Sequence, residues 1–176
     1  MKKFIRRLVL FSIIPLLGVF LILWTLLYQD KRNKDHYCLE SNITVLFAGD
    51  SHVQQAVNDT LLPQAENIAV NSESIYFTYF KLKNYIAANK QVDKVYLGLG
   101  YHSLSSYYDA YIKGEFSEPI TLRYFYDLPP YERFMCLLWN KEKISVYSRT
   151  LLKKEKGIND DYHIGFRNIF TETKAE

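Results

Sequence analysis

Ser51 stands at the end of the run Ile43 to His52, ITVLFAGDSH, where an apolar, β-branched stretch stops abruptly in Gly49-Asp50-Ser51-His52. Such a run reads as a buried strand, and a serine hydroxyl held at its carboxyl end is suited to attack an acyl carbon once a base takes its proton. Gly49 supplies the sharp exit. The competing reading is an ordinary strand-to-helix turn in which Asp50 or Ser51 caps a helix. His102 is the second candidate, in Gly100-Tyr101-His102 after the apolar run Asp93 to Leu99. The polar loop Val70 to Ser74, with Asn71, follows a third run, Ala65 to Val70. Ligands of open α/β sheets bind beyond the carboxyl ends of the strands. Ser51, the Val70 to Ser74 loop and His102 are therefore expected neighbours.

The elements that must position them alternate in type. His52 to Leu62 reads as a short helix or loop ended near Pro63, and Ile75 to Asn89 as a helix carrying Tyr76, Tyr79, Phe80, Leu82, Tyr85 and Ile86 mostly on one face. Strand, helix, strand, helix, strand is the order of a parallel sheet with crossovers. Beyond Ser103 a Tyr-rich segment reads as loop or short helix, Leu128-Pro129-Pro130 breaks it, and Tyr131 to Leu152 reads as an amphipathic helix. From Lys153 the tail is charged.

The N-terminus sets the topology expected of the chain. Lys2, Lys3, Arg6 and Arg7 precede an uncharged run from Leu8 to Tyr28, and about twenty apolar residues suffice to cross a bilayer as a helix. The expectation is a basic cytoplasmic segment over 1–7, a transmembrane helix over 8–28, a juxtamembrane linker over 29–42 and an exported α/β domain over 43–176. The chain would then sit in the cytoplasmic membrane as a single-pass protein with its domain on the extracytoplasmic side. A cleavable signal peptide is the competing reading, with the same consequence for the domain. The Lys31, Arg32, Lys34 cluster runs against the positive-inside rule.

Composition allows one domain in 176 residues with 48% hydrophobic and 16% aromatic content, the latter mostly 15 Tyr and 11 Phe. Those tyrosines serve either as core or as a surface for flat or amphipathic partners, sugars among them. A net charge of +3 without a basic, aromatic-interleaved patch gives no reason to expect nucleic acid. Cys38 and Cys136 lack any metal-ligand spacing, so no metal is expected; they form one disulfide or stay free.

Gly49-Asp50-Ser51 after the first strand, Asn67-Ile68-Ala69 after the second and Gly100-Tyr101-His102 after the third together resemble the SGNH (GDSL-like) hydrolase superfamily, and within it the membrane-anchored bacterial proteins of cell-surface polymer acylation. The resemblance covers about Ile43 to Ser105. It implies a three-layer αβα sandwich with a central parallel sheet, the flavodoxin-like SGNH hydrolase fold. By that resemblance Ser51 is the nucleophile, the Ala69 N–H and His102 bind the oxyanion with Asn71 in the same loop, and Asp160 and His163 supply the orienting carboxylate and the base. Asp50 fixes the turn. Three departures stand out. Ala69 occupies a Gly position, His102 an Asn position, and Asp160-Asp161-Tyr162-His163 lies closer to the serine than the family's usual span.

The function so implied is that of a serine esterase or O-acyltransferase acting on acylated cell-envelope carbohydrate, with no metal or organic cofactor. A membrane acyltransferase is an expected partner. The alternative is a non-catalytic SGNH-like binding or accessory subunit of an envelope polymer acylation system. A degenerate or incomplete member also remains open.

Overall fold

Thr44 and Val45, β-branched, lead into a short strand β1 (Val45–Ala48) whose Leu46 and Ala48 side chains are wholly buried. In the computed structural model, which describes residues 2–28, 34–114, 123–145 and 147, β1 is the centre of a three-stranded sheet. It is flanked by β2 (Ala65–Asn67) and β3 (Lys94–Leu97), and both pairings are parallel. The register sets Val45 opposite Ala65 and Lys94, and Ala48 opposite Leu97. Backbone pairing continues past the strands, from Val70 N–H to Gly49 O at 3.1 Å and from Gly98 N–H to Ala48 O at 2.9 Å. Three strand ends are thus fastened side by side.

Helix α2 (Ser51–Ala56) presses directly on those ends. Gly49 has φ +151°, a conformation that favours glycine, and a Cβ there would come within 2.7 Å of Val53 Cγ2; a Cβ on Gly98 would overlap the same methyl. Helix α3 (Ile75–Ala88) buries Phe77, Lys81 and Tyr85, which recur at four-residue spacing on one face. Tyr85 joins Tyr37, Ile43, Leu46, Ala48 and Ile68 in the core beneath the sheet. Asn89 ends α3, donating through Nδ2 to Tyr37 O and Tyr85 O and accepting from the Leu39 N–H.

The Tyr-rich segment after Ser103 forms 3-10 turns and a short α4 (Asp109–Lys113). Helix α5 (Pro130–Trp139) begins where the Pro-Pro pair dictates, since proline is tolerated in the first turn. The helix expected over Tyr131 to Leu152 stops early: Asn140 caps it, donating to Cys136 O and Ile112 O. Arg133, buried on α5, donates to four backbone carbonyls, those of Phe125, Leu128, Tyr126 and Leu27. Cys38 is exposed, Cys136 is buried, and no disulfide joins them, so the disulfide alternative does not hold.

The reading of residues 8–28 needs correction. Helix α1 (Lys2–Tyr28) forms, and Pro15 lies inside it. Yet among the described residues no helix is long and apolar enough to cross a membrane. The fold is accordingly α/β with a small parallel sheet, without the expected transmembrane helix. Apolar side chains from Leu10 to Trp24 are exposed, and the end of α1 is tied down where Leu27 packs on Phe125, Leu137 and Tyr147.

Candidate functional site

Asp50, rather than Ser51, is the hub of the sheet edge. It is the N-cap of α2, its Oδ1 accepting the His52 N–H at 2.9 Å. The same oxygen lies 3.1 Å from His52 Nδ1, and Oδ2 lies 2.6 Å from His102 Nε2. Ser103 Oγ stands 3.5 Å from Oδ2 and also accepts the Gly100 N–H at 3.2 Å. Asp50 is 5% exposed, while the two imidazoles face solvent. Burial pushes the Asp50 pKa up, but the His52 N–H and the bonds to His102 and His52 outweigh it and hold the carboxyl below its ordinary value.

His102 reaches Asp50 because Gly100 leaves room. A Cβ on Gly100 would overlap the His102 ring, coming within 2.6 Å of Nδ1. Gly100→Ala is expected to swing the imidazole off Asp50 and spare the sheet. NMR of the ring protons should show His102 alone shifted to the signature of a solvated imidazole; an unmoved His102 resonance would refute the fit.

The other expected residues are placed as follows. Ser51 is the first residue of α2, partly buried, and its hydroxyl has no hydrogen-bond partner among the described residues. The Ala69 N–H, expected to face an oxyanion, donates to Asn67 Oδ1 at 3.0 Å. Asn67 is itself fully buried, and its Nδ2 donates to Val57 O at 2.8 Å and Val53 O at 3.2 Å, so it ends α2 and fixes the exit of β2 together. Asn71 lies on the turn after β2, where its Oδ1 accepts from Ser72 Oγ at 3.3 Å and Ser72 takes φ 59°. His102, expected to donate to an oxyanion, turns its Nε2 to Asp50. Asp160 and His163 lie outside the described residues.

His52, Ser103 and Tyr108 join the site without having been singled out. His52 and His102 stand with ring centroids 4.8 Å apart, and buried Tyr108 lies 6.3 Å from His102. Burial first, and then the Asp50 charge, push the Tyr108 phenol up. The repeated spelling Gly-Asp-Ser-His and Gly-Tyr-His-Ser at two strand ends was the available signal. A cavity of about 430 Å³ lies elsewhere, between α3 and α5, lined by Phe80, Asn84, Leu128 and Arg133 among others. Comparisons with protein-family models, curated proteins and solved structures return no match.

Proposed function

We propose that the chain is a serine-dependent acyl hydrolase or O-acyltransferase of SGNH type that acts on acylated cell-envelope carbohydrate. The observation that supports this reading is the Asp50–His102 pair at 2.6 Å, one residue from Ser51 at a shared sheet edge. With Nε2–H donating to the carboxylate, His102 keeps Nδ1 as a proton acceptor, the tautomer a general base needs. In the reaction Ser51 Oγ bonds to the ester carbon as its proton passes to an imidazole. The leaving alcohol takes that proton, and water or an acceptor sugar hydroxyl then releases the acyl group. The Asp160/His163 pair is the competing source of the base. The exposed apolar side chains of α1 suit attachment to a lipid surface, where an envelope polymer is the substrate within reach.

The full chain in detergent, treated with a fluorophosphonate probe and an aryl acetate, is expected to label stoichiometrically and give an acyl-enzyme burst. Ser51→Ala should abolish both, and comparing His102→Ala with His163→Ala assigns the base. Absence of both label and burst would sink the enzyme reading. One observation favours a non-catalytic accessory subunit instead: the Ala69 N–H is already engaged by Asn67. That reading expects acylated polysaccharide to bind without turnover.

A further inference from the structure

Among the described residues, Asp50, His52 and His102 bring one ligand atom each to within 4.8 Å of one another. We propose that these three side chains bind a divalent transition metal ion, zinc or a similar borderline cation, as a two-histidine, one-carboxylate site. The donor set is of the right chemistry, since imidazole nitrogen with carboxylate oxygen suits such ions, and three protein ligands leave positions open for water or substrate.

The geometry favours it in three ways. Both ring nitrogens, His52 Nδ1 and His102 Nε2, already point at the Asp50 carboxylate, at 3.1 and 2.6 Å. A cation replaces the protons those contacts share; ligands about 2.0–2.1 Å from a tetrahedral metal sit about 3.3 Å apart, so His102 Nε2 backs away from Asp50 and the most separated ligand atoms, within 4.8 Å as they stand, close by up to about 1.5 Å through rotation of the exposed imidazoles. Second, the ligands are held from behind. The His52 N–H holds the carboxylate, Ser103 Oγ stands near its other oxygen, and the close approach to Gly100 seats the His102 ring; such supporting contacts orient ligands and raise affinity. Third, the carboxylate is buried while both imidazoles reach solvent, with side-chain exposures of 75% for His52 and 44% for His102, so an ion has an open path.

Metal binding goes beyond the acyl-transfer reading but shares Asp50 and His102 with it, so a bound ion and the Nε2–H contact to Asp50 exclude one another. It draws on His52, which that chemistry leaves unused, and it does not need Ser51. The test is titration of the full chain in detergent with cobalt(II), followed by its visible d–d bands, and then displacement by zinc. One ion per chain is expected, with the intense bands of a low-coordinate nitrogen and oxygen site. His52→Ala and His102→Ala should each weaken binding at least tenfold, whereas His36→Ala and Ser51→Ala should bind as the unaltered chain does. Exposed His52 makes its variant a safe test should the His102 variant fail to fold. Weak, featureless binding, or binding that survives His52→Ala or is lost with His36→Ala, would overturn the site. Absence of probe labelling in the metal-free chain, with cobalt binding intact, would instead overturn the acyl-transfer reading alone.

Discussion

Asp50→Asn is expected to lower acyl turnover by about 10⁴-fold while leaving the fold intact, the size of effect seen when the carboxylate of a Ser-His-Asp triad is made neutral. The separation of the two effects follows from the two jobs of Asp50. As N-cap of α2 it accepts the His52 N–H through Oδ1, and Asn caps a helix about as well as Asp. As partner of His102 its charge favours the Nε2–H tautomer and, in the proposed reaction, would stabilise the imidazolium formed on taking the serine proton. A carboxamide does neither reliably, because its NH₂ end turns the ring and its oxygen carries no charge. Asp50→Ala should lose the same turnover and about 1 kcal/mol of stability through the lost cap. Because the folded Asp50 pKa is depressed, its contribution to stability is present above the unfolded value, near 3.8, and is lost as pH falls through the folded value. Asp50→Asn keeps the cap but gives up that contribution, so a modest loss of stability is expected at neutral pH that fades as pH falls through the folded value. Steady-state kcat with an aryl acetate and thermal melts at pH 7 check both halves. Full turnover in Asp50→Asn would show that another pair, Asp160 and His163, does the proton transfer.

The sheet edge was legible in the sequence because strand ends announce themselves: apolar runs stop at Gly49 and Gly100, and the alternation with helices implies parallel pairing. What joins Asp50 to His102 was not. The pair depends on the β1–β3 register that sets Ala48 opposite Leu97, and on the gap at Gly100 that admits the ring. Neither is a property of local pattern. Ala69 illustrates the reverse failure. Its N–H was expected to be open, yet the Asn67 side chain two residues earlier takes it, in the local competition that Asn offers any backbone. In α5, apolar positions continue past Asn140, and it is the side-chain cap that ends the helix. Lys81 hid in the same way: periodicity assigns a lysine to the wet face of α3, but it is buried against Glu73.

That buried pair carries the largest stability effect expected of a single substitution. Glu73 and Lys81 are 2% and 3% exposed, with Oε2 and Nζ 2.5 Å apart, and Lys81 Nζ also donates to Ile68 O at 2.6 Å. The ammonium thereby ties the start of α3 to the exit of β2, just behind the candidate site. Removing the carboxylate leaves a buried cation with a backbone carbonyl for company, so Glu73→Ala is expected to cost about 3–5 kcal/mol. In a chain of this size that lowers Tm by roughly 10 °C. Replacing both residues by apolar ones of similar volume should cost much less, since two desolvated charges vanish together. Burial outruns the attraction of Lys81 and pushes Glu73 up to about 7. The folded state therefore holds that proton more tightly than the unfolded chain. Its stabilising effect is complete below the unfolded value, near 4.5, and is lost as pH rises through about 7. Urea titrations across that window should show the parent losing stability with rising pH, with Glu73→Gln removing that slope. A parent whose stability is level from pH 5 to 8, or a Glu73→Ala variant that melts with it, would mean that the pair is not buried as described.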